Sequence, residues 1–209
     1  MRASRRIEHD VPLVGDVDPA ERFERFPAGF TMKGMFFSRL LELEPATDGP
    51  RLLDRMSIEL AVRPTLGRYL PFSDYPQVDY SRLAWQIATA REPAVDGVEA
   101  MRRLARLDVA TFAASRLGTV VFALVGDDPV QALLKLPDMY RMSLRGGAVT
   151  ARLTSPDVVE LAYVDFYGWL DCYPIGHIEA LCQHFGRRAQ IEYDLDDELC
   201  GRFHVHLSP

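Results

Sequence analysis

The hydrophobic period of this 209-residue chain changes once, near Leu144, and that change constrains the fold more than any motif does. Before it, apolar residues return every three or four positions, as on one face of a helix; after it, they alternate, as on one face of a strand. Met32, Met35, Phe36, Leu40 and Leu43 predict a helix that Pro45 stops. A second helix is read over residues 52–62, ending ahead of Pro64. The stretch SDYPQ at 73–77 reads as a loop, with Asp79 capping a third helix to about residue 90. Asp96 and Glu99 then open the clearest helix, in which Val98, Met101, Ala105, Val109 and Phe112 share a face and Arg102 lies at its margin. Gly118 is its expected stop. Further helices are read around 120–125 and from Asp128-Pro129 to Leu136, before Pro137.

Past residue 144, AVTARLTS, a turn at 155–157 and VVELAYVDF predict two strands. An amphipathic helix over 174–185 follows, closed by Gly186; then come AQIEYDL, a DDE turn at 196–198 and CGRFHVHL. The predicted fold is α+β: an N-terminal helical bundle, then a β-β-α-β-β antiparallel sheet with one face covered by helix. One domain spans 30–209, its helical half 30–143 and its sheet half 144–209. Residues 1–29, with scattered prolines and no sustained period, are expected to form a flexible arm with one helical turn at 18–25.

Composition narrows the function. A net charge of −6 lacks the basic face that neutralises a nucleic-acid backbone. The longest apolar run, residues 120–125, falls far short of the ~20 residues that span a bilayer. The basic N-terminus has no apolar stretch behind it, so no secretory signal is read, and three scattered cysteines fit reduced thiols in a cytoplasm.

The histidines need a geometric reading. In the last hairpin, Ile191, Tyr193 and Leu195 share one face, as do Phe203, Val205 and Leu207. These sets turn to the core, so Cys200, Arg202, His204 and His206 turn outward, with Glu192 opposite Arg202 if the turn is DDE. Cys200 and His206 lie ~20 Å apart along one strand at ~3.3 Å per residue, too far to close around one ion, and no metal is expected. In the helix at 174–185, Ile175, Ile178, Leu181, Cys182 and Phe185 form the buried stripe, with His177 and His184 at its rim. Gly176 in that helix implies close approach of another backbone.

The blocks TMKGMFFSRLLEL (31–43), the YP-then-helix segment (75–90), DGVEAMRRLARLDVATFAASRLGTV (96–120), LPDMY (136–140) and YPIGHIEALCQHFG (173–186) resemble a paralogous family of unknown function expanded in myxobacteria. The resemblance runs over residues 25–208. The order of elements is also similar to a superfamily uniting haem nitric-oxide-binding domains, vinyl-reductase-type domains and the TRAPP subunits of Golgi transport. It implies a ligand pocket between helices and covered sheet face. Haem-binding members hold iron through a His in the helical half and the propionates through a Tyr-x-Ser-x-Arg motif. Here the matching strand reads Tyr163-Val164-Asp165-Phe166-Tyr167, and no histidine lies between His9 and His177. Asp165 would repel a propionate, so no haem and no other cofactor is expected. Vinyl-reductase-type domains place several cysteines near the final hairpin, where this chain has only Cys200.

The expected function is a non-enzymatic sensor of a small molecule or lipid, with Tyr163, Asp165, Tyr167, Trp169 and His177 as its binding residues. The alternative is an interaction module that forms a homodimer through the N-terminal helices, as TRAPP-type relatives do, using Met32, Met35, Phe36 and Phe37. No enzyme is expected: no nucleophile–base arrangement or phosphate-cradling glycine loop occurs in its proper context, and Asp165 and Asp171 lack an assignable base.

Overall fold

The computed structural model describes residues 5–7, 18–46, 49–55, 60–62, 64, 68–166, 169–196 and 199–208. The chain begins with strand β1 (Arg5–Ile7) and helix α1 (Pro19–Glu24). The helical half holds α2 (Gly34–Glu42), α3 (Leu52–Arg55), α4 (Gln77–Arg91), α5 (Gly97–Ala114), α6 (Arg116–Val125), α7 (Pro129–Leu134) and α8 (Leu136–Ser143). Interleaved with these are β2 (Thr31–Lys33), β3 (Asp74–Pro76) and β4 (Leu144–Arg145), which form a small sheet in the order β3-β2-β4. Then follow β5 (Ala148–Ser155), β6 (Val158–Val164), α9 (Tyr173–His184), β7 (Arg188–Leu195) and β8 (Gly201–Ser208).

The architecture is α+β, and the β-β-α-β-β order after residue 144 is as its alternation predicts. Among the described residues the main sheet is antiparallel throughout, in the order β1-β7-β8-β6-β5. Ile191, Tyr193, Phe203, Val205 and Leu207 are buried against the helices, and His204 and His206 lie half-exposed on the opposite face. Helix α9 is buried between the sheet and α5. Gly176 permits this contact: a Cβ there would run into the carbonyl oxygen of Arg102 on α5. Facing it, Arg102 is 2% exposed and joins Glu179 of α9 through Nε to Oε2 at 3.0 Å and through a second, very short Nη2 contact.

Of residues 1–29, the described ones include β1 and the helical turn expected at 18–25: α1 starts at Pro19 with the Asp18 carboxylate accepting the Ala20 amide at 2.8 Å. Other expectations are corrected. Met32 belongs to a strand, because the backbone of 31–33 pairs with β3 on one side and β4 on the other. The same pairing makes a strand of the SDYPQ loop. Asp79 is no cap: it lies buried inside α4, and its carboxylate accepts the Ala61 and Val62 amides at 2.9 and 3.0 Å. The helix read over 52–62 is described only as α3, since residues 56–59 lie outside the described ones. The long helix breaks at Ser115, whose hydroxyl accepts the Gly118 amide at 3.0 Å and caps α6. Pro137 opens α8, where a missing amide costs nothing. The last hairpin closes on Leu195 and Gly201, so Asp194 faces Arg202 and Glu192 faces His204.

Candidate functional site

A cavity of about 320 Å³ opens between the helical half and α9. Met35 and Phe36 of α2, Met101, Val109 and Phe112 of α5, Phe122 of α6, Met139 of α8 and Leu181 of α9 make its wall overwhelmingly apolar. Of the seven methionines in the chain, Met32, Met35, Met101, Met139 and Met142 line it. The cluster expected to mediate dimerisation therefore faces inward, with Phe37 fully buried beneath it.

One polar cluster interrupts this lining. Arg39 of α2 donates from Nη2 to the Asp108 carbonyl and to Asp108 Oδ1, each at 2.8 Å. Its guanidinium lies 4.6 Å from the centre of the Phe112 ring. Asp108 Oδ2 faces His177 Nε2 at 3.7 Å, and His177 Nδ1 lies 3.3 Å from the Tyr140 hydroxyl. Beside them the hydroxyls of Tyr80 and Tyr173 share a hydrogen bond at 3.1 Å. Burial pushes the phenols of Tyr80, Tyr140 and Tyr173 up, so all three stay neutral donors at physiological pH. The cluster can orient a polar group; it holds no pre-formed nucleophile.

Another part of the wall is Trp169, in the turn before α9. Its backbone is left-handed at φ 56°, which is rare for a bulky residue. Packing holds it there: Trp85 stacks on it at 5.0 Å, Phe23 of α1 lies 5.9 Å away, and Arg22 sits 4.5 Å over its ring. Arg22 in turn grips Asp171 through two hydrogen bonds of 2.8 and 2.6 Å.

No curated protein matches this chain. The profile of a protein family of unknown function, DUF2378, matches residues 27–206. The chain belongs to that family. Solved structures similar to this DUF2378 chain are H-NOX proteins. One is the Fe(II)NO form from S. oneidensis, 16% identical with TM-score 0.66, the match covering 85% of this chain and 100% of that one. Another is the Fe(II) unliganded form from K. algicida, 16% identical with TM-score 0.62 over 85% and 97%. A third is a mutant from T. tengcongensis, 18% identical with TM-score 0.63 over 85% and 98%. At such identities the likeness is one of fold.

Of the residues predicted from sequence, the DUF2378 structure brings Trp169 and His177 together at the cavity. Tyr163 lies one layer behind, 1% exposed, its ring T-shaped against Phe166 at 5.0 Å and Phe203 at 5.1 Å. Asp165 is exposed and turned away: its backbone is left-handed at φ 50°, and its amide donates to Cys200 Sγ at 3.5 Å. This turn puts Phe166 in the cavity wall where the strand pattern would place Asp165 or Tyr167. Tyr167 lies outside the described residues. Sequence reasoning missed Arg39 and Asp108. A signal for Asp108 was present, since it stands seven residues after Met101, a charge on an otherwise apolar helix face.

Elsewhere, among the described residues no group of three or more His, Cys, Asp or Glu side chains could hold a metal ion. Burial pushes the Cys182 thiol up to about 12 and raises that of Cys172 well above its usual range. No single described helix is long and apolar enough to cross a membrane.

Proposed function

We propose that this protein is a ligand-sensing domain that binds a small, largely apolar organic molecule in its cavity, without haem and without turning it over. The observation that carries this is a cavity with apolar walls and a few convergent polar groups, the usual make-up of a small-molecule site. Haem fits these residues poorly. Among the described wall residues His177 is the one histidine; its Nδ1 lies 3.3 Å from the Tyr140 hydroxyl, and its Nε2, which makes no hydrogen bond, has the Asp108 carboxylate 3.7 Å away. The position that would hold a propionate carries Asp165, an acid that points away from the cavity. Absence of turnover is supported by neutral phenols and by two buried thiols kept protonated.

The alternative, self-association as an interaction module, finds support in the exposed apolar side chains Val120 and Leu124 on α6.

The deciding experiment pairs native mass spectrometry of the purified chain with hemin addition followed by absorbance. The expected result is a copurifying organic molecule of low mass and no Soret band after desalting. Stoichiometric hemin uptake, or a chain that copurifies with nothing and binds no apolar probe, would overturn the proposal.

A further inference from the structure

The chemical class of the occupant is written in Arg39. It is the one Lys or Arg among the described cavity-lining residues, and its side chain is only 15% exposed. Both of its hydrogen bonds to Asp108 leave from Nη2. Its Nε and Nη1 groups make no hydrogen bond among the described residues and are not sealed from solvent, so they stand open to an acceptor that enters the cavity.

We infer that the cavity binds a monocarboxylate with an apolar body, its carboxylate accepting hydrogen bonds from the unused donors of Arg39. This rests on the ligand-binding reading above and narrows it. Charge sets the limit at one negative group. Asp108 already opposes Arg39 but meets it through Nη2 alone, which leaves the other guanidinium edge to a second carboxylate. A phosphate monoester carries about −1.5 to −2 charges at neutral pH and would meet Asp108 with no second Lys or Arg among the described wall residues. A neutral occupant without an acceptor would leave the Arg39 donors unmet. A carboxylate can accept from the guanidinium edge through two parallel bonds and brings the opposite charge, so it is favoured over an alcohol of the same body.

Beyond Arg39 the wall is methionine-rich, and methionine adapts to irregular shapes. Both an acyl chain and an aryl group suit such a lining, so both are probed. The readout is built in: Trp85 and Trp169, the chain's two tryptophans, are stacked, and Trp169 lines the cavity.

The test titrates the full chain with decanoate, phenylbutanoate, decanol and methyl decanoate while following tryptophan fluorescence. The carboxylates are expected to bind at one equivalent and at least about tenfold tighter than the ester and the alcohol. Arg39→Met should erase that preference and leave the neutral probes unchanged. Because it strands Asp108, the double variant Arg39→Met/Asp108→Asn is run beside it, with the same expectation. If wild type binds acid and ester equally, or the preference survives both variants, the role of Arg39 falls while the apolar-ligand reading stands. If no probe binds, both fall. Tighter decanoate would mark the body as acyl, tighter phenylbutanoate as aryl, and either result supports the inference.

Discussion

At Gly176 the helix α9 gives up intrinsic stability so that α5 can approach. Replacing this glycine with alanine would ordinarily favour a helix by about 1 kcal/mol. Here the new methyl meets a backbone carbonyl, that of Arg102, which cannot rotate aside as a side chain would. Gly176→Ala is therefore expected to destabilise by about 2 kcal/mol net, lowering Tm by roughly 4–8 °C for a chain of this size. Thermal denaturation followed by circular dichroism checks it; an unchanged or higher Tm would mean the helices separate easily. This constraint was legible, because a glycine inside an apolar helix needs a packing reason. The site was legible only in part. His177 and Trp169 stood close together in one aromatic stretch and do meet the cavity. Arg39 and Asp108 sit 69 positions apart, and no local pattern joins them. Asp165 failed for a local reason: the left-handed backbone there breaks the strict alternation of β6, so the side chains after Val164 no longer follow the strand.

Helix α1 shows how a short element depends on its dock. Six residues are too few to hold a helix in water unaided. What keeps it in place is Arg22 on Asp171 and Trp169, with Phe23 beside the same indole. Arg22→Ala removes one partner from a largely buried ion pair, a loss on the order of 3 kcal/mol. Hydrogen exchange should then show the amides of residues 20–25 opening while those of α5 and α9 stay protected. Equal protection in both proteins would show that Phe23 alone suffices. Elements of this kind were the hardest to read. The helical turn expected at 18–25 anticipated α1, but β2 and β3 are three residues each, shorter than any period can reveal. Their strand character comes from pairing with partners far along the chain. Long elements, by contrast, followed their patterns: α5 began at its Asp96 cap, and the four strands around α9 lie where alternation put them.

For the whole molecule, several large apolar side chains of the helical half remain on the outside. Phe72 is 84% exposed, Leu124 75% and Met142 74%, and Phe72 and Met142 also border the cavity. Such exposure favours weak self-association. Multi-angle light scattering should find the average mass rising toward twice that of the chain as concentration increases, and Leu124→Glu should suppress the rise. A strict monomer at high concentration would remove the homodimer alternative and leave these residues to the cavity mouth. One edge of the main sheet is built differently. β5 is its last strand, beyond which runs an open row of backbone donors and acceptors. Pairing slips out of register between Leu153 and Ser155, and Arg152, pinned by Glu160, stands just before the slip. A second copy laying its own strand there would find the ladder kinked and a charge in its path, which guards the fold against runaway filament growth.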